Sequence, residues 1–417
     1  MNKQPLTIVI FGATGNLYAD KLARALFLLF QNDSILPTDF RIIAFARKDF
    51  TTDAFRSLSR EYITKKGDVD IKRVESFVSH IEYYKGNFLD ESDFERFKTT
   101  FSFGGDELVV FHIATASFSY EKIFENMQNT KFGELGGVAR IMIEKPFGKN
   151  EQDAEHLESM LTNIFTPENI FHIDHYLAKE TAQAMFSSRF LDDSSEQIWR
   201  DEHISKIKII FHESNIVGSR GASYDKVGAF RDVGENHMLE LLALVLMDKP
   251  DSINADLIKN SRAEALEHLF ITDTPHIVKG QYEGYVSEAG VDQNSKTETF
   301  FRVFLKSKDP RFSDTNFELE GGKGLVDIGS EITTTMVTLF VYFKNGEVKT
   351  FNIQPVPGTS YNSYVKVYTD VVKGDSTLFV SKREIIAQLK LAEDLLEAWK
   401  DVPLVIYKKG TAPEHIK

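Results

Sequence analysis

Three short segments, far apart in the chain, gather ionisable residues where the neighbouring sequence is apolar or helical. They are Glu144-Lys145-Pro146-Phe147-Gly148, His172-Ile173-Asp174-His175-Tyr176-Leu177-Ala178-Lys179-Glu180, and Arg231-Asp232 through Asn236-His237. Lysine and histidine side chains can hold a phosphate through charge-assisted hydrogen bonds. An imidazole or a carboxylate can move a proton near neutral pH. A fourth segment, Gly12-Ala13-Thr14-Gly15, sits between a strand-like run and a helical pattern. There, backbone amides and a helix N-terminus favour a pyrophosphate. The joint inventory suits a phosphorylated substrate beside a dinucleotide.

Taken singly, each segment has a plainer reading. Lys145 directly follows an apolar strand and precedes Pro146, which fixes the backbone there. At the C-terminal end of a parallel strand it lies where ligands bind, yet a strand-end lysine can also snorkel to solvent. If residues from about 175 are helical, His175 and Lys179 are i,i+4 neighbours that could grip a phosphate, or simply a solvated face. Asp232 and His237 interrupt an otherwise apolar helix over 228–247. Five residues apart on an α-helix they diverge by about 140° and need not touch. Taken alone, His237 reads more often as a satisfied core histidine than as a base. Gly234, inside that helix, is expected to permit close packing.

The elements that must position these residues fall into two groups. Thr7 to Phe11, Arg41 to Arg47, Glu107 to Ala114 and Val138 to Glu144 are continuous apolar strands, with helical patterns between them, as at 51–64 and 91–99. That alternation predicts a parallel sheet covered on both faces. Beyond about residue 170 the texture changes. Ile204 to Glu213 alternates, and Thr297 to Leu305 and Met336 to Phe343 are strand-like, with Asn345-Gly346 as a hairpin turn. A helix returns at 383–400. The expected fold class is α/β: a Rossmann-type doubly wound parallel sheet at residues 1–174, then an α+β domain at 175–417 with a large, mostly antiparallel sheet. The parallel sheet's second strand ends in Arg47-Lys48, where a NAD-specific site normally presents a carboxylate. Two cations suit a 2′-phosphate, so NADP is the expected cofactor, with NAD use left open.

Length and composition agree. At 417 residues the chain exceeds one ordinary core, so two domains are the default. A formal charge of −13 argues against nucleic acid or an anionic membrane as partner, and makes any phosphate site a local basic pocket. No run of eighteen apolar residues is present, and the N-terminus lacks a secretory pattern. Zero cysteines exclude disulfides, thiolate catalysis and cysteine-ligated metals; no metal is expected, and the cytoplasm is the expected location.

The segments together resemble the glucose-6-phosphate dehydrogenase family, and the likeness runs almost the whole chain. It covers Gly12-Ala13-Thr14-Gly15-Asn16-Leu17 with Lys21-Leu22, Ala46-Arg47, Glu144 to Gly148, and Ile173-Asp174-His175-Tyr176-Leu177 with Lys179-Glu180. It continues through Arg189-Phe190, Glu213, Gly218, Arg220-Gly221, Arg231-Asp232, Asn236-His237 and Gly280-Gln281-Tyr282. Ser295-Lys296-Thr297-Glu298-Thr299, Gly322-Lys323, Gln354-Pro355 and Gly374-Asp375 with Thr377-Leu378-Phe379 complete it. The resemblance implies oxidation of D-glucose 6-phosphate to 6-phospho-D-glucono-1,5-lactone in the pentose phosphate pathway, by a homodimer joined through the second domain's sheet. His237 would take the anomeric hydroxyl proton, and Asp174 would fix its tautomer. His175, Tyr176 and Lys179 would grip the phosphate, and Asp232 would accept from sugar hydroxyls. Lys145 would reach both sugar and cofactor. Lys21, Lys323, Glu213 and Gln354 would line the pocket, while Gly12, Thr14, Gly15, Lys21 and Arg47 would meet the nucleotide.

This chain departs from the family pattern at Asn16, at Tyr18 (a bulky residue expected to crowd the phosphate turn), at Ala116-Ser117 in place of two prolines, and at His172, Ala178 and Glu235. Asn352 and Ser381 stand where arginines are common, against a second, structural NADP site. Two other readings stay open: a Rossmann oxidoreductase for a different sugar, and a non-catalytic homologue that binds nucleotide or sugar phosphate.

Overall fold

A computed structural model describes residues 4–32, 35–65, 67, 69–190, 204–252, 254–272, 276–326, 335–352 and 362–417. The chain forms two compact units, Met1–Ala178 with Ser360–Lys382, and Lys179–Thr359 with Arg383–Lys417. Sequence texture suggests a single break at 174/175; the units part after Ala178, and a C-terminal segment returns to the first. It returns because the helix Ser363–Lys373 buries Tyr364, Val367, Tyr368 and Val371 in the first unit's core.

The first unit holds β1 (Leu6–Phe11), β2 (Phe40–Ala46), β3 (Ile81–Lys85), β4 (Leu108–Ile113), β5 (Val138–Glu144) and β6 (Ile170–Ile173). All pair in parallel, in the order β3-β2-β1-β4-β5-β6. Successive side chains on a strand point to opposite faces. Accordingly Ile8, Ile10, Ile42 and Ala44 pack on helices Ala23–Gln31, Thr52–Thr64 and Ile71–Val78. Val9, Phe11, Ile43 and Phe45 pack on helices Glu91–Thr100, Tyr120–Asn129 and Glu151–Thr162. Helices on both faces explain why these strands are apolar throughout. The edge strands β3 and β6 carry Glu82, Lys85 and His172, which mask the apolar pattern.

The second unit holds β7 (Ile204–Glu213), β8 (Leu269–Thr272), β9 (Val278–Tyr282), β10 (Phe300–Ser307), β11 (Asn316–Gly322), β12 (Thr335–Phe343), β13 (Val348–Asn352) and β14 (Leu404–Tyr407). They form one sheet in the order β13-β12-β7-β11-β10-β9-β14, with β8 on β10. Pairing is antiparallel except β7 with β11 and β9 with β14. The β12–β13 hairpin turns at Asn345-Gly346, where Gly346 takes φ +91°. Among the described residues no helix is long and apolar enough to cross a membrane.

One face of this sheet is ionic. Lys206 and Lys208 pair with Glu318, and Glu320 meets His212 Nε2 at 3.0 Å and Arg302 Nε at 2.5 Å. Burial pushes the Glu320 carboxyl up, but the His212 hydrogen bond and the charges of Lys208 and Arg302 outweigh it and hold the group at about 2. A depressed carboxylate stabilises the fold above its unfolded range, near 4.5, and that contribution is lost as pH falls toward 2. At 1.36 kcal/mol per unit it is on the order of 3 kcal/mol. Glu320→Gln is expected to lower stability at pH 7 by roughly 1–3 kcal/mol, with the gap closing between pH 4.5 and 2, as read by denaturant titration at each pH.

Candidate active site

Because all six strands of the first unit run parallel, the residues that follow β1, β2, β4, β5 and β6 share one edge of the sheet. Ligands bind at that edge in open α/β sheets, near the point where strand order reverses, here between β1 and β4. Gly12 opens the turn after β1 with φ +80°, and a Cβ there would stand 2.6 Å from the Ala114 carbonyl oxygen after β4. Only glycine lets the two loops approach this closely. The turn closes with Gly15 N–H donating to Gly12 O at 2.9 Å, and a helix begins at Asn16. First-turn amides lack partners within their helix and so face the turn as donors. Thr14 lies within this turn, and Lys21 is exposed one turn further on.

Tyr18 does not crowd the turn, contrary to the sequence expectation. It is buried, its hydroxyl meets Ser59 Oγ at 2.9 Å, and its ring packs on Phe55 and Tyr62. The π-helical turn Tyr18–Leu22 points it into the core. Loss of the proline at 116 is also accommodated: Ala116 has φ −69° and ψ 141°, the φ a proline would impose. After β2, the exposed Arg47 guanidinium lies 5.2 Å over the Phe88 ring. Asp49, the neighbouring carboxylate that could oppose a 2′-phosphate, is paired with Lys85 at 3.0 Å.

After β5, Glu144 anchors the chain just before Lys145. Its carboxylate meets His112 Nε2 at 2.9 Å and accepts from Tyr364 Oη at 3.0 Å, while its carbonyl accepts from Tyr120 Oη at 2.6 Å. The Lys145–Pro146 peptide is cis, and Lys145 is half-buried. After β6, Asp174 is buried and its Oδ1 accepts the Tyr176 N–H at 2.9 Å. This is an Asx turn, which competes with helix formation. Residues 175–178 are therefore a turn and the helix starts at Glu180, so the i,i+4 reading of His175 and Lys179 is corrected. The His175 ring stacks on Tyr364 at 5.9 Å and lies 4.9 Å from Tyr176. His172 points into the scaffold, 3.1 Å from Glu158.

In the second unit Glu213, Asp232 and Lys323 come together. Lys323 Nζ, buried, pairs with Glu213 and lies 3.2 Å from Asp232 Oδ2 and 5.6 Å above the Tyr224 ring. Period-2 alternation along β7 puts Glu213 on the same face as Phe211, whose ring stacks on His237 at 6.4 Å. Asp232 and His237 lie on a π-helical segment, Phe230–Met238, that leads into the α-helix Leu239–Leu246. With i→i+5 bonding each turn takes more residues, so residues five apart diverge less than the expected 140°. Gly234 makes the segment possible: a Cβ there would meet the rings of Phe230 at 2.5 Å and Phe301 at 2.9 Å. His237 is buried, and Asn236 staples the turn by accepting its N–H and donating to Arg231 O. Gln354 lies outside the described residues. Sequence reasoning gave no role to Tyr224 under Lys323, to His112 behind Glu144, or to Glu298; among these only Glu298 stood in a noted motif.

The first unit thus carries a strand-edge turn suited to a dinucleotide, and the second a buried histidine and ion-paired carboxylates. Residues 9–184 match the family described as glucose-6-phosphate dehydrogenase, NAD binding domain, and residues 186–356 match its C-terminal domain. The chain belongs to the glucose-6-phosphate dehydrogenase family and is an oxidoreductase with a nicotinamide-cofactor domain. A glucose-6-phosphate 1-dehydrogenase of Borreliella burgdorferi is 30% identical, over 97% of this chain and 94% of that protein. The crystal structure of the Mycobacterium avium glucose-6-phosphate 1-dehydrogenase is 25% identical with TM-score 0.83, covering 98% of this chain and 95% of that one. A glucose-6-phosphate dehydrogenase solved with its substrate glucose-6-phosphate shares the fold at TM-score 0.86 and 24% identity, covering 99% and 96%.

Proposed function

We propose that this chain oxidises D-glucose 6-phosphate at C1 to 6-phospho-D-glucono-1,5-lactone, with NADP as the preferred acceptor. The observation that carries the reading is the buried Lys323 with Glu213 and Asp232, beside a π-turn that holds His237. NADP, when bound, supplies the hydride acceptor. The Gly12–Gly15 turn and the amides after it suit its pyrophosphate, and Arg47 suits the 2′-phosphate. His237 takes the C1 hydroxyl proton as the C1 hydrogen departs as hydride, and the O–H bonding pair becomes the second C–O bond of the lactone carbonyl. Asp174 is assigned to orient that imidazole. Asp232, Glu213 and Lys323 hold sugar hydroxyls, with Gln354 assigned beside them. His175, Tyr176 and Lys179 take the 6-phosphate, and Lys145 and Lys21 reach toward sugar and cofactor.

Cofactor choice rests on two exposed cations, Arg47 and Lys48, and screening limits what such groups contribute. Arg47→Ala is expected to lose kcat/KM with NADP much more than with NAD. Equal losses, or a wild-type preference for NAD, remove Arg47 as the discriminator. The reaction itself is tested by mass analysis of the product: a sugar phosphate lighter by two hydrogens and still phosphorylated supports it, and an unaltered sugar phosphate refutes it. A cytoplasmic homodimer acting in the pentose phosphate pathway is part of the same proposal, carried by the family resemblance.

A further inference from the structure

The Ser295–Thr299 stretch has no place in the chemistry above, yet it holds both halves of the second unit's polar cluster. Thr299 O accepts the Lys323 N–H at 2.9 Å, and Tyr407 Oη, 2.8 Å from Thr299 Oγ1, donates to Lys323 O at 2.6 Å. One residue earlier, the buried Glu298 faces the start of the π-helical segment. Its Oε1 accepts the Phe230 N–H at 3.0 Å, and its backbone carbonyl accepts the Ala229 N–H at 3.0 Å. Gly228, at φ +80°, makes room for it, since a Cβ there would fall 2.2 and 2.3 Å from the two carboxyl oxygens.

We propose that Glu298 is a positioning residue: by capping Phe230 N–H it fixes the origin of the π-turn, and with it the placement of Asp232 and His237 against Lys323. The proposal rests on the reading of His237 as the base, which follows the capped Phe230 on the same π-helical segment, Phe230–Met238. A carboxylate at a helix start satisfies an amide that the helix cannot and is favoured by the dipole. The same short stretch ties down Lys323, so one rigid bracket sets the distance between the cation and the turn. Burial pushes the Glu298 carboxyl up to about 7, against the backbone hydrogen bonds and the charges of Lys279 and Arg231 that lower it. A carboxyl kept at that site despite burial is consistent with use of its acceptor.

Three variants, Glu298→Gln, Glu298→Ala and Glu298→Asp, test it by steady-state kinetics and by amide hydrogen exchange over 228–236. Gln keeps an acceptor oxygen and is expected to hold kcat within about twofold. Ala removes the acceptor and is expected to lower kcat at least tenfold with the cofactor KM unchanged, and to speed exchange at Phe230. If Ala does not fold, Asp reads the same contact, because a side chain one carbon shorter withdraws from Phe230 N and should lower kcat likewise. A folded Ala or Asp variant with wild-type kcat and exchange overturns the proposal, as does a Gln variant as impaired as they are. Should His237→Asn keep full turnover, the base assignment fails, while the exchange measurement still decides whether Glu298 holds the turn.

Discussion

Replacing His237 with asparagine is expected to lower turnover by at least ~10²-fold, the usual cost of losing a general base, with little change in the KM for sugar phosphate. Asparagine keeps a polar side chain of similar reach in a buried place and removes only the capacity to take a proton. The expectation gains force from the π-turn, which carries both His237 and Asp232, the latter 3.2 Å from Lys323. Initial rates at saturating substrate and cofactor, with a thermal melt to show that the variant folds, read the result. A folded variant with near wild-type turnover removes His237 from the mechanism.

Lys179→Ala is expected to act on binding instead. Losing a charge-assisted hydrogen bond to phosphate costs ~1.5–3 kcal/mol, or about ten- to a hundredfold in the KM for glucose 6-phosphate, with a weak effect on the KM for NADP. Lys179 stands where the turn after Asp174 passes into the helix Glu180–Phe190. A helix N-terminus favours an anion, so the lysine adds to a site already suited to phosphate. Glucose without its phosphate supplies the control: the variant and the wild type should handle it equally poorly. If wild-type enzyme binds glucose and glucose 6-phosphate equally well, the phosphate assignment is wrong.

The sheet of the first unit was legible because strands buried on both faces write themselves as unbroken apolar runs, as in Thr7 to Phe11 and Glu107 to Ala114. The edge strands β3 and β6 were not: partial exposure admits Glu82 and Lys85 in β3, and β6 is only four residues long with the buried His172 paired to Glu158 in its middle. Glu144, Asp174 and His237 could be singled out as ionisable groups in apolar surroundings. Their geometry could not. The π-turn has no local signature and follows from Gly234 letting the segment close on Phe301, a partner from a distant strand. Tyr18 was misjudged for the same reason: whether a large ring faces a turn or the core depends on Ser59 and Phe55, which sequence spacing does not bring near it. The return of Ser363–Lys373 to the first core likewise depends on long-range burial of Tyr364 and Tyr368, invisible in a helix pattern alone.

The central claim is that this chain moves hydride from C1 of glucose 6-phosphate to a nicotinamide. Absorbance at the reduced-nicotinamide band, followed with purified protein, NADP and either glucose 6-phosphate or glucose, tests it most directly. A steady rise is expected with glucose 6-phosphate, slower with NAD than with NADP, and little or none with glucose. No rise with glucose 6-phosphate and either cofactor, from a folded protein, would contradict it.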